Sequence, residues 1–418
     1  MKYLFSLIFL LSIPSFLPAQ DIEFLREQAK ALSSAEMKGR GYVEGGLQRA
    51  ADFIAEAFET MGLQPLKDDY FQPFDQTVNT FPGELEIKVE ERLLVPGKEY
   101  IIDPTSPSHH GLYRAKVYEG NNLREVPNPI IFAEQCSDCV LVFDMRAVFD
   151  KESMERARAM KEMFSSKTPV IWLSNEKFTW SIAAEQRAFP VIEMNGSYIV
   201  DGAFISIDIE AEQLSNFKAQ NVIGMIKGTQ YPDSFMVFTA HYDHLGMMGQ
   251  EAVFLGANDN ASGVAVLLSL AKYYSKEPLP YTMVFMAFAG EEAGLMGSKY
   301  FVEHPELDLK AIRLLVNLDL MGSGVDGITV VNGKENPKVM RILQEENQAK
   351  GYLPKIGERS QSANSDHYFF AEAGVPAVFI YALGGSSAYH DIFDVYENLT
   401  FEEYPDIFRL LTHLSSTY

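Results

Sequence analysis

The 418-residue sequence is short of cysteine, short of positive charge and, past its first twenty residues, without any long uncharged apolar run. Its only cysteines, Cys136 and Cys139 in EQCSDCVLVFD, have no second pair of ligands nearby, which excludes a zinc knuckle. They precede an apolar strand instead of opening a helix, where thiolates are activated, so a local disulfide is the expected state in an exported chain. With 35 Lys and Arg against 57 Asp and Glu, the formal charge of -22 repels nucleic-acid backbones and anionic membrane surfaces. Nucleic acid is therefore excluded as a partner. The missing apolar span excludes a later transmembrane helix. There is also no Gly/Ser linker, internal repeat or low-complexity tract.

What the sequence does have begins with Met1, Lys2 and Tyr3, followed by LFSLIFLLSIPSFLPAQ. This run is shorter than the roughly 20 residues of a spanning helix and is broken by Pro14, so residues 1–20 read as a secretory signal peptide cut after Ala19 or Gln20. The expected mature protein is exported, periplasmic or secreted, with no stable membrane insertion. A chain of this length, 47% apolar, can bury one large core and one smaller one. The expected division is 21–81 with 220–418 as the main domain and 82–219 as an inserted lobe. In the first part, GGLQRAADFIAEAFETMGLQ places Leu47, Ala50, Ala51, Ile54, Phe58 and Met61 on one helical face. The lobe carries the strands VLVFD, PVIWLS and FPVIEMN and a charged helix around residues 151–164. From Asn221 onward, strands and helices alternate through NVIGMIKG, SFMVFTAH, GVAVLLSLAKYY, YTMVFMAFAG, RLLVNLDL and VPAVFIYAL. That order predicts an α/β fold with a mostly parallel mixed sheet flanked by helices, and a smaller α/β or β-rich lobe.

In such sheets, sites lie beyond the carboxyl ends of the strands. His241 and Asp243 follow SFMVFTA, Glu291 and Glu292 follow YTMVFMAFAG, and Asp319 interrupts RLLVNLDLMG. Asp259 sits in GANDNASG, where a tight turn enters a helix, and His390 lies in the late loop GGSSAYHDIFD. Singly, each residue serves as well as a helix cap or turn acceptor. Together, three carboxylates and two imidazoles repel one another unless cations intervene, and two divalent ions bring four positive charges against three negative ones. Mixed imidazole and carboxylate donors suit zinc. Five ligands, His241, Asp259, Glu292, Asp319 and His390, exceed one tetrahedral ion but fit two Zn2+ bridged by an aspartate, with a shared hydroxide as nucleophile.

FTAHYDHLG, GANDNASGVAVLL, AFAGEEAGLMGS, NLDLMG and YHDIFD resemble, in order and spacing, the M28 family of zinc aminopeptidases, from Asn221 to about Asn398. The resemblance implies the zinc-exopeptidase fold and peptide substrates with a free N-terminus. His241 and Asp319 would ligate one zinc, Glu292 and His390 the other, and Asp259 would bridge. Glu291 would be the general base and Tyr389 the donor to the oxyanion. Asp243 is placed to orient His241 rather than to ligate. His244 and His367 are not needed once five ligands are present, and Asp394 reads equally as an acceptor near the site or a helix cap. Asp366 in NSDHYFFAEAGVPA matches a segment near the family's substrate pocket. The lobe at 82–219 resembles, through its position and strand order, the protease-associated domain inserted in several members.

Rival readings are a glutaminyl cyclase, which uses one zinc; a carboxypeptidase, which needs a basic clamp for the terminal carboxylate; and a non-catalytic binding module. The complete ligand set opposes the first, the lack of an arginine cluster the second, and the presence of every ligand and the base the third.

Overall fold

The computed structural model describes residues 21–196 and 199–418, so the expected signal peptide at 1–20 lies outside the described residues. Among the described residues no helix is long and apolar enough to cross a membrane. The helix read from apolar spacing spans Gly46–Thr60, and Leu47, Ala50, Ala51, Ile54 and Phe58 are all buried on its inner face.

A nine-stranded sheet organises the larger part of the chain. Its centre is four mutually parallel strands, Tyr281–Phe288, Tyr231–His241, Ile312–Leu318 and Ala377–Ala382, in that spatial order. They read as unbroken apolar runs because both faces are covered. Met236, Phe238 and Ala240 pack with helices Gly46–Thr60, Gly263–Tyr274 and Tyr404–Thr417, while Val237, between them in sequence, packs with Phe301 and Phe370 on the other face. Glu212–Ile226 and Ile328–Val331 flank the centre antiparallel. Gln64–Pro65 and Phe71–Thr80, antiparallel to Glu212–Ile226, return to the central direction. Six of the nine strands thus point the same way, and the sheet is mixed. The Glu212–Ile226 strand begins well before Asn221, where the apolar pattern starts. Its first half is polar and largely exposed, because at that point it pairs only with Phe71–Thr80 at the sheet edge.

A second, eight-stranded sheet draws all its strands from between Leu85 and Ile209. Its parallel part runs His109–Glu119, Cys139–Asp144, Val170–Leu173, Val191–Met194, with helix Lys151–Phe164 between the second and third. Cys136 and Cys139 are joined in a disulfide at the entry to this part. The hairpin Gly246–Met248 and Ala252–Phe254, which follows a strand of the first sheet, sends Met248 and Phe254 into the second sheet's core beside Ile205 and Ile207. The chain is therefore an α/β protein with a smaller α/β lobe, and the two sheets share a hydrophobic seam.

Candidate metal centre

The carboxyl ends of the central strands converge. His241 is the last residue of its strand, Asp319 directly follows Leu318, and Glu291 and Glu292 come just after Phe288. Asp259 lies in the turn that feeds helix Gly263–Tyr274, and His390 is carried by the loop beyond Ala377–Ala382. Gly256 opens the Asp259 turn at φ 58°, and a side chain there would overlap the Asp259 carbonyl and the His244 ring.

Asp259 divides its two oxygens between the two imidazoles. Oδ1 lies 3.3 Å from His241 Nε2, and Oδ2 lies 3.1 Å from His390 Nε2. Asp319 Oδ1 is 3.4 Å from the same His241 nitrogen, and Glu292 Oε2 is 3.2 Å from that of His390. Zinc bonds of about 2.0–2.2 Å at tetrahedral angles separate two donor atoms by about 3.3–3.6 Å. The four separations fall at or just below that edge length, so the donors can hold two ions, one on each side of Asp259. The buried Asp319 Oδ1 has no hydrogen bond among the described residues, as expected of an atom committed to a cation.

Both imidazoles give Nδ1 to a main-chain carbonyl, His241 to Asp243 at 3.1 Å and His390 to Trp180 at 3.0 Å. A carbonyl only accepts, so each ring donates through Nδ1 and presents Nε2 to the carboxylates. The group orienting His241 is thus the Asp243 carbonyl; the Asp243 carboxylate, 3.7 Å from that ring, accepts instead from the N–H groups of Glu291 at 3.1 Å and Glu292 at 3.2 Å and from the Tyr42 hydroxyl at 3.2 Å. It fixes the turn that carries Glu291 and Glu292. Asp394 accepts from the N–H of Asn258 at 2.8 Å and of Asp259 at 3.0 Å, which positions the shared aspartate. Asp319 is reached by Ser365 Oγ at 3.3 Å, itself held by Asn317 Nδ2 at 2.8 Å.

Burial opposes charge on every one of these groups. For His390 the carboxylates of Glu292 and Asp259 outweigh burial and hold the ring up to about 11. Burial likewise acts to raise Glu292, but His390 and His244 bring it down to about 2. For Glu291 the compensation falls short: burial, helped by Glu292, Asp366 and Asp319, outweighs His241 and pushes it well above the usual carboxylate range. Burial also raises Asp366, fully enclosed near His241, to about 7. Tyr389, half exposed, stacks on His390 with ring centroids 4.0 Å apart, and its hydroxyl is raised by burial and by Asp259.

Several contributors escaped the sequence reading. His244 donates through Nδ1 to Glu292 Oε1 at 2.8 Å, and with Asp259 and Glu292 it forms a group whose atoms could hold a metal ion. Arg40, fully buried and lowered by that burial to about 10, gives its guanidinium to the carbonyls of Leu32, Tyr242, Leu255, Gly256 and Asp259. Lys177, from the smaller lobe, pairs with the buried Asp391 at 2.6 Å and donates to the carbonyls of Ser387 at 2.8 Å and Tyr389 at 3.2 Å. None of these has a local signal; each is recognised only through partners distant in sequence.

Residues 221–415 match the model of Peptidase family M28. The aminopeptidase YwaD of Bacillus subtilis is 30% identical over 233 residues, covering 51% of this chain and 48% of that protein. A probable zinc metalloprotease of Pyricularia oryzae is 32% identical over 176 residues, covering 41% of this chain and 33% of the other. The chain thus spans about half or less of the curated relatives it matches. Among solved structures, a zinc aminopeptidase from Bacillus subtilis superposes with a TM-score of 0.70 at 19% identity, covering 94% of this chain and 93% of that one. An aminopeptidase from Aneurinibacillus sp. strain AM-1 superposes with a TM-score of 0.63 at 20% identity, covering 95% and 93%. Residues 221–415, the part of the chain that carries the strand-end constellation, are thus similar to peptidase family M28.

Proposed function

We propose that the chain is a two-zinc aminopeptidase that hydrolyses the N-terminal residue from peptides, with His241 and Asp319 on one ion, Glu292 and His390 on the other and Asp259 between them. The observation that carries this reading is the division of Asp259, whose two oxygens face imidazoles that each bring a further carboxylate. Imidazole with carboxylate is a donor set that suits zinc. When bound, such a pair supplies Lewis acidity to the scissile carbonyl and makes water a usable nucleophile near neutral pH.

The chain's own residues divide the remaining work. The Asp243 carboxylate fixes Glu291 through its backbone N–H at 3.1 Å, leaving the Glu291 side chain free to take a proton from the attacking water and return it to the departing amine. Tyr389, at the pocket beside His390, donates its hydroxyl to the developing oxyanion. Spare carboxylate oxygens of Glu291, Glu292 and Asp319 receive the substrate's terminal ammonium. On the same reading, residues 82–219 are an inserted lobe like the protease-associated domain, and 1–20 a signal peptide whose removal leaves an exported enzyme.

The test assays the zinc-loaded protein against free peptides, their N-acetylated counterparts and a peptide starting with glutamine. Release of the first residue from free peptides alone is expected. Cleavage confined to blocked peptides, or ring closure of glutamine without hydrolysis, would overturn the reading.

A further inference from the structure

No arginine cluster is visible along the sequence, yet the fold brings one arginine to the pocket beside the metal-ligand constellation. A cavity of about 230 Å³ is lined by His241, Asp259, Asp319 and Glu291, and its wall is completed by residues that include Arg359, Asn364, Phe379 and Tyr381. Arg359 follows the edge strand Ile356–Glu358, and its backbone N–H is tied to the Val330 carbonyl at 2.9 Å, so the residue has a fixed root. Its side chain is exposed and, among the described residues, makes a single hydrogen bond, Nη1 to the Tyr381 hydroxyl at 3.4 Å. Among the described residues no carboxylate lies within ion-pair distance of it.

An unpaired guanidinium in a cavity otherwise supplied with carboxylates is a fork of N–H donors matched to a planar carboxylate. Tyr381 restrains the head, and Asn364 adds an amide to the same wall. The volume lies below the roughly 300 Å³ at which pockets begin to take drug-sized ligands, so a carboxylate reaching Arg359 must belong to a residue next to the scissile bond.

We propose that Arg359 is a specificity residue that binds a substrate carboxylate, so the enzyme favours substrates with an acidic group adjoining the bond it cleaves. This rests on the aminopeptidase reading of the same site. The carboxylate has two sources, the side chain of an N-terminal Asp or Glu, or the α-carboxylate of a dipeptide, and both offer the same planar acceptor.

The experiment measures kcat/KM of the zinc-loaded full chain for Glu- against Gln-p-nitroanilide, and for a neutral dipeptide with a free against an amidated C-terminus, in wild type, Arg359→Gln and Arg359→Lys. A parallel calorimetric arm measures binding of free L-glutamate against L-glutamine, and of the neutral dipeptide against its C-terminal amide. The expected result is a preference of about ten- to a hundredfold for the carboxylate-bearing member of one pair, lost in Arg359→Gln and partly kept in Arg359→Lys. The pair showing it identifies the source. No preference in either pair, or one that Arg359→Gln leaves unchanged, overturns the proposal. If no substrate is turned over, the aminopeptidase reading fails by itself, and the binding arm decides: tighter binding of the carboxylate-bearing member of either pair, abolished in Arg359→Gln, upholds the carboxylate site, and equal binding within both pairs removes it.

Discussion

His241 and His390 carry the same ring to the same aspartate, but different parts of the molecule hold them. The His241 side chain is 1% exposed, ends a strand paired on both sides and takes its orientation from Asp243 two residues away. The His390 side chain is 13% exposed, sits on a loop at φ 52°, and exchanges two main-chain contacts with Trp180 of the smaller lobe, Nδ1 to its carbonyl and its N–H to the His390 carbonyl at 2.9 Å. One imidazole is fixed by the sheet, the other by a neighbour some two hundred residues away. The smaller lobe therefore supports one side of the candidate metal centre, and loosening it should affect that side more than the other.

The largest effect is expected where neither side is touched. Glu291→Ala should retain bound zinc but lower turnover by about 10²–10⁴-fold, read by metal analysis beside steady-state kinetics. Next comes Arg40→Met, which erases the asymmetry by releasing the turn both sides share. Five carbonyls lose their donor, so unfolding in denaturant with metal chelated should show a loss of at least about 3 kcal/mol, with both sites weakened. Lys177→Met sharpens the comparison most: it frees Asp391 and the Tyr389 carbonyl and should weaken one zinc by about 10- to 100-fold in chelator competition while sparing the other. Equal weakening of both would show that the two rings do not depend on separate supports. The smallest change is expected from Trp180→Phe, which removes the indole N–H bond to Ile102 O at 2.8 Å and keeps a ring against Phe254; it should cost about 1 kcal/mol in stability.

The same contrast marks how far the sequence could be read. The sheet side was legible because an apolar run and the polar residue that ends it are adjacent in the chain, so His241, Glu291, Glu292 and Asp319 announce themselves through local pattern. The helix at Gly46–Thr60 follows from the same short-range logic. The supports were not legible. Arg40 bonds to carbonyls scattered from Leu32 to Asp259, and a main-chain acceptor leaves no trace in residue type. His244 looked like a redundant ligand because its tie to Glu292 exists only after the strands are side by side. Lys177 and Arg359 owe their positions to loops brought together by the packing of whole sheets.

The central claim, two zinc ions sharing Asp259, is tested most directly by titrating the metal-free protein with zinc in a calorimeter, wild type beside Asp259→Ala. Two equivalents bound by the wild type and no more than one, weakly, by the variant is the predicted result. One equivalent in the wild type, or two undiminished in the variant, would contradict it.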